Sequence, residues 1–129
     1  MLNLNIMQGK LLKDVVLMDV VGGDDEDEKK HSKRVTFTII NTRDYRDKNG
    51  NRQSDFFDVI AWDDKATFIA ENFKKGDRIL IVGRFQHRLY KRSDGERRRS
   101  YELVVKKVYF DGPSSAMSAI EDVLTDCDF

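Results

Sequence analysis

The sequence predicts an all-β domain: a small barrel of five strands, one short helix between the third and fourth, and a flexible acidic C-terminal tail. Three observations carry this. Apolar residues alternate with polar ones along most of the chain, the period of a strand with one buried face. Two turn signals, Asn49-Gly50 and Ser93-Asp94-Gly95-Glu96, join strands into hairpins. A single segment, following Trp62, carries the spacing of an amphipathic helix.

Taken in order, Asn3 to Val20 read as one strand region, and Gly9 interrupts its alternation, predicting a bulge or bend. Gly22-Gly23 opens a solvent-exposed loop holding the acidic run Asp24 to Glu28 and then Lys29 to Lys33. From Arg34 to Arg43, Val35, Phe37 and Ile39 alternate with Thr36, Thr38 and Ile40. Past the Asn49-Gly50 turn, Phe57, Val59 and Ala61 make a core face, while Phe56, Asp58, Ile60 and Trp62 share the other. Asp63 or Asp64 caps the helix, and Ala66, Ile69, Ala70 and Phe73 form a stripe that plugs the base of the sheet. Lys74-Lys75 stand where the helix dipole favours cations, and Gly76 stops the helix.

From Asp77 to Lys91 the odd positions run Ile79, Ile81, Gly83, Phe85, His87, Leu89, a core face with His87 partly buried at its edge. The even positions begin apolar (Leu80, Val82) and turn polar and basic (Arg84, Gln86, Arg88, Tyr90). The second turn is followed by Arg97, Arg98 and Arg99, a basic cluster at a loop tip, and Tyr101 to Phe110 close the sheet. Asp111-Gly112-Pro113-Ser114-Ser115 ends the domain, placing its boundary at 1–112 with the tail over 113–129. Five strand regions with that helix position match the OB fold, whose second and third strands and adjoining loops bind oligonucleotides or oligosaccharides.

At 129 residues, 40% hydrophobic and 36% charged, the chain has material for one modest core. No apolar run approaches the roughly 20 residues that span a bilayer. The N-terminus has neither the basic region nor the cleavage site of a secretory signal, so the expectation is a cytoplasmic, nucleoid-associated protein without membrane contact. Cys127, His31 and His87 are too few for a Cys/His zinc site, and Cys127 reads as an ordinary exposed thiol. P-loop, dinucleotide, G-x-S-x-G and H-E-x-x-H signatures are all missing, so nothing argues for an enzyme, a metal or a cofactor. The net charge of zero conceals segregation. The acids of 24–28 and the four of the tail account for nine negative charges, so the rest of the chain carries +9. A basic body with detached acidic segments fits a polyanion binder.

Phe56 and Trp62 lie about 20 Å apart on one strand face, a span several unstacked bases can bridge. Arg46 and Lys48 precede the Asn49-Gly50 turn and Arg52 follows it. Rings beside cations offer a stacking surface for nucleobases. The competing reading, in which both rings belong to a strand covered on both faces, stays open on the residues alone. In the tail, Met117, Ile120, Val123 and Leu124 fit an amphipathic turn too short to hold without a partner surface. Its last residues read either as an unordered end or as a docking peptide, with Phe129 filling a pocket and Asp126, Asp128 and the terminal carboxylate meeting basic residues.

The segments MLNLNIMQGKLLKD, YRDKNGNRQSDFFDVIAW, AENFKKGDRILIVGRFQHRLY and SDGERRRSYELVV together resemble the bacterial single-stranded DNA-binding protein family, over roughly residues 1 to 112 and again at the last few. The resemblance implies base stacking on Tyr45, Phe56, Trp62 and Tyr90, three of them Tyr or Phe where well-known members carry Trp. It implies a homo-oligomer, a tetramer favoured, with a role in DNA replication, recombination and repair. It also implies an acidic tip that recruits replication and repair proteins, although this chain ends DCDF rather than Ile-Pro-Phe. On this reading Arg43, Arg46, Lys48 and Arg52 track phosphates around one hairpin, and Arg84, Arg88, Arg97, Arg98 and Arg99 around the other. Two alternatives remain: an OB module for RNA or a primosome, and a protein-interaction OB domain whose rings are packed inside.

Overall fold

The computed structural model describes residues 1–22, 30–111 and 120–125; the acidic run 24–28 and residues 126–129 lie outside them. The elements are β1 (Asn5–Leu11), β2 (Met18–Gly22), β3 (Lys30–Arg46), β4 (Arg52–Trp62), α1 (Asp63–Asn72), β5 (Arg78–Lys91) and β6 (Arg97–Phe110). Pairing runs β1-β5-β6-β4-β3, and β1 also pairs with β3, closing a ring of five strands. All these pairs are antiparallel except β4 with β6, so the barrel is mixed. β2 pairs only with β3, from Met18↔Arg34 to Gly22↔Lys30, and stands outside the ring.

The first strand region is therefore two strands, not one. At Leu11 the chain leaves the ladder: the Leu11 amide donates to the Asp77 carbonyl (3.0 Å) and the Leu12 amide to the Thr38 carbonyl (3.0 Å). These bonds pin the bend that separates β1 from β2. Gly9 serves the crossing from β5 to β3. A Cβ there would lie 3.0 Å from the Ile39 Cβ and 3.1 Å from the Ile40 carbonyl oxygen, so a side chain would need its neighbours to give by a few tenths of an ångström.

The barrel interior is filled by the inward members of the five ring strands, among them Leu11, Val35, Ile39, Val59, Ile81 and Leu103. α1 seals one end with Ala66 and Ile69, and Phe73 follows in extended backbone. Burying a side chain such as Ile69 stabilises the fold by about 1.5–3 kcal/mol. The helix differs from expectation at both ends. Its N-cap is Trp62, with no side-chain cap, and Asp63 sits at φ +54 and instead accepts the Lys33 amide at 3.3 Å. It stops at Asn72, before Lys74-Lys75, so no cation faces its last turn. The Lys75 amide donates to Asp14 Oδ1 (2.8 Å) and the Gly76 amide to the Leu11 carbonyl (2.8 Å). Those tertiary bonds claim the backbone that another helical turn would need.

The β5–β6 hairpin runs past the barrel as a two-stranded arm. β6 begins at Arg97, so Arg97, Arg98 and Arg99 are strand residues facing Lys91, Tyr90 and Leu89, and the loop tip lies before them. His87 and Leu89 are exposed, because the core they would face ends at Phe85. The register of this hairpin shifts between Val82 and Gly83, where a Cβ on Gly83 would strike the Val104 carbonyl.

The outer face of β5 is also covered. Leu80 and Val82 are buried with Val123, which belongs to a helical turn over 120–125, and Tyr109 donates to Asp122 Oδ2 at 2.7 Å. The part of the tail that the structure describes is thus packed on the barrel rather than free. It has the partner surface that its length requires. Among the described residues, no helix is long and apolar enough to cross a membrane.

Candidate nucleic-acid interface

The register of the sheet builds one continuous outer face. Cross-strand partners share a side of the sheet, and Thr38↔Asp58, Asp58↔Glu102 and Gln86↔Glu102 are partners. Phe56, Asp58 and Trp62 of β4 therefore lie on the same side as Gln86, Arg88 and Tyr90 of β5. Phe56 is 62% exposed, Trp62 37%, Tyr90 45%, and Tyr45, beyond them on β3, 64%. None of the four rings is sealed in the interior.

Two carboxylates occupy the centre of this face. Asp58 accepts from Thr38 Oγ1 at 3.1 Å, and Glu102, only 8% exposed, accepts from Gln86 Nε2 at 2.8 Å. They border a cleft of about 380 Å³ that Lys13, Thr36 and Arg88 also line. Sequence alternation places Asp58 on the face. Glu102 joins it because the parallel β4–β6 pairing sets it beside Asp58, which no local pattern announces.

The basic residues fall into distinct groups. Arg34, which sequence reasoning used only to mark a strand start, stands with its guanidinium 6.0 Å from the Trp62 ring centroid, a cation–π contact. It makes no ion pair among the described residues, and its Nε is buried without a hydrogen-bond partner. Arg46 donates to the Gly50 carbonyl (2.9 Å), bracing the tip where Lys48 is exposed. Arg84 donates to Gln86 (3.2 Å), and Arg98, beside Tyr90, makes a loose, open ion pair with Glu96 at 3.4 Å. Such exposed pairs hold about 0–1 kcal/mol, little obstacle to a competing phosphate. Arg52, Arg97 and Arg99 are exposed, with Arg97 and Arg99 on the opposite side of the arm from Arg98.

Arg43 differs from all of these. It grips Asp55 with two bonds, Nε to Oδ2 (2.9 Å) and Nη2 to Oδ1 (2.8 Å). The hydrogen bond and charge of Asp55 raise the guanidinium pKa, and the bond from Arg43 holds the Asp55 carboxyl below its usual value. Asp55 and Gln53 alternate with Phe56 along β4, so Arg43 stands on the side of this arm away from Phe56. The structure thus brings Phe56, Trp62 and Tyr90 onto one face and sets Tyr45 apart beside Arg43. Asp126, Asp128, Phe129 and Cys127 lie outside the described residues.

A closed β-barrel with solvent-open rings on one outer face, beside cations that are unpaired among the described residues, fits the OB-like class of binding proteins. Comparison with known proteins makes the assignment specific. Residues 6–111 match the single-strand binding protein family, and the chain belongs to that family. It is 32% identical over 122 residues to a single-stranded DNA-binding protein of Caldanaerobacter subterraneus subsp. tengcongensis, covering 92% of this chain and 74% of the relative. It is 31% identical over 115 residues to a Listeria monocytogenes protein of the same description, covering 89% and 67%. In structure it resembles a small single-stranded DNA-binding protein from Streptomyces coelicolor, with a TM-score of 0.64 over 84% of this chain and 93% of the other. At 23% identity that last likeness establishes the fold.

Proposed function

We propose that this protein binds single-stranded DNA with little regard to sequence and protects it during replication, recombination and repair. Bases stack on Phe56, Trp62 and Tyr90 along the outer face and on Tyr45 beyond it, beside Arg43 on the β3–β4 arm, each stack contributing about 1–3 kcal/mol. Every base has a π-face, so stacking is tolerant of sequence. Phosphates follow Arg34, Arg46, Lys48, Arg52, Arg84, Arg88, Arg97, Arg98 and Arg99, and displacement of their counterions makes affinity fall with salt. The observation that carries this reading is the solvent-open placement of three rings on one face, with cations beside them that are unpaired among the described residues. A protein-interaction domain with its rings packed inside would not present them so.

The same proposal includes a homo-oligomer, a tetramer favoured, and recruitment of replication and repair proteins by Asp126, Asp128 and Phe129 at the acidic end. Trp62 is the only tryptophan in the chain, so its fluorescence reports on the face directly. An unstructured thymidine oligomer should quench it strongly, and a duplex of equal length, its bases already stacked on one another, hardly at all. Equal responses to the two would end the stacking mechanism. A matched RNA oligomer that outcompeted the DNA would redirect the assignment to RNA.

A further inference from the structure

Tyr45 lies where the β3–β4 ladder is irregular. Between Thr42↔Ser54 and Arg46↔Arg52 the register slips, so β3 carries two more residues than β4 over this interval. Such a bulge removes ladder hydrogen bonds, and the local side chains then need another source of order. Arg43 supplies it. Besides its two bonds to Asp55, Nη1 donates to Gln53 Oε1 (2.9 Å) and to the Tyr45 hydroxyl (3.3 Å), and the guanidinium lies 5.9 Å from the Tyr45 ring centroid. Four of its five N–H donors are thereby engaged, and its charge is matched by a carboxylate gripped in the fork geometry that favours arginine over lysine.

On the stacking reading above, we propose that Arg43 is a positioning residue that holds the Tyr45 ring ready for a base, and that it makes no phosphate contact of its own. A ring already fixed at the bulge is spared the entropy cost of being ordered when DNA arrives. Arg34 is the contrasting case, an arginine against an aromatic ring with no carboxylate paired to it among the described residues.

The test is a titration of labelled thymidine oligomer against the full chain, followed by anisotropy over a range of salt concentrations, with thermal unfolding alongside. The variants are Arg43→Gln, Arg43→Lys, Tyr45→Ala, the Arg43→Gln/Tyr45→Ala pair, and Arg34→Gln as the charge-contact control. Arg43→Gln and Arg43→Lys should each weaken binding about three- to tenfold, a fraction of one full base stack, with the salt slope unchanged. Arg43→Gln should add nothing once Tyr45 is gone. Arg34→Gln should flatten the slope by about 0.7, the loss of one phosphate contact on a single strand. The proposal is overturned if Arg43→Gln flattens the slope likewise, if Arg43→Lys binds as the wild type does, or if the Arg43 and Tyr45 losses simply add. Should Arg43→Gln fail to fold, Arg43→Lys, which keeps the charge but not the bidentate fork, decides alone. A wild type that does not bind the oligomer defeats the stacking reading itself. Binding with additive losses defeats only the positioning role.

Discussion

Two arginine–aromatic pairs flank the β3–β4 ribbon, Arg34 on Trp62 and Arg43 beside Tyr45, and their ring distances are nearly the same, 6.0 and 5.9 Å. They differ in what else the guanidinium touches. Arg43 spends its fork on Asp55 and Gln53, whereas Arg34 has no ion pair among the described residues. Two identical side chains in similar aromatic contact thus offer different charge to a polyanion. A count of arginines overstates the charge open to a polyanion, because the charge of a gripped arginine is already matched by its carboxylate.

The largest effect that could break the comparison comes from removing a ring. Trp62→Ala should cost about 1–3 kcal/mol of oligonucleotide affinity and leave the salt slope in place, since Arg34 keeps its charge. Anisotropy of a labelled oligomer measures both, the intrinsic fluorophore having gone. A flatter slope would mean that Arg34 depends on the ring to reach a phosphate, and the two pairs would then work alike.

The contrast extends to carboxylates. Asp55 is neutralised by Arg43, but among the described residues Asp58 has only the Thr38 hydroxyl, and it sits between Phe56 and Trp62 on the face. Asp58→Asn keeps the size and the hydrogen bond and removes an uncompensated negative charge, so affinity at low salt should rise by about 0.5–1 kcal/mol, as expected for an exposed charge in high dielectric. A loss in that titration would show that the carboxylate itself receives a hydrogen bond from a base.

The smallest effect is a predicted lack of one. Asp55 has a folded pKa below its ordinary value of 3.8, chiefly through the hydrogen bond from Arg43. A depressed carboxyl contributes fully above its ordinary value and loses that contribution only as pH falls through the lower folded value. The affinity ratio of wild type to Tyr45→Ala should therefore be the same at about pH 8 and about pH 5, and should shrink only below about pH 4. A ratio that had already fallen by half at about pH 4 would place Asp55 in the ordinary carboxylate range and remove the grip on which the comparison depends.

Much of this architecture is legible in local pattern. Alternation along β4 separates Phe57, Val59 and Ala61 from Phe56 and Trp62, because strand side chains must take opposite faces. The helical stripe of Ala66 and Ile69 is in the core for the same kind of reason, whereas Gly9, read as a bulge or bend, keeps regular pairing with Ile79 and serves a close crossing over β3. Where local pattern misleads, a distant partner is responsible. Lys74-Lys75 look like a helix end, but Asp14 and Leu11 bind the backbone there and stop the helix at Asn72. His87 fits a core period, yet the barrel it would face has ended. Leu80 and Val82 read as the apolar start of an otherwise polar face, and what covers them is Val123, far along the chain.

The sequence by itself determined which residues alternate, where the chain turns, and that rings and cations share a strand face, since these follow from two-residue periodicity and the left-handed preference of Asn-Gly. Tertiary structure alone decided which arginine meets which ring. Counted outward from Arg46↔Arg52 at the hairpin, an unbroken ladder would set Trp62 opposite Thr36; the slip around Arg43 to Tyr45 moves it two residues on, to Arg34. A register is a sum over the whole ladder, so two extra residues at one end reassign every partner at the other.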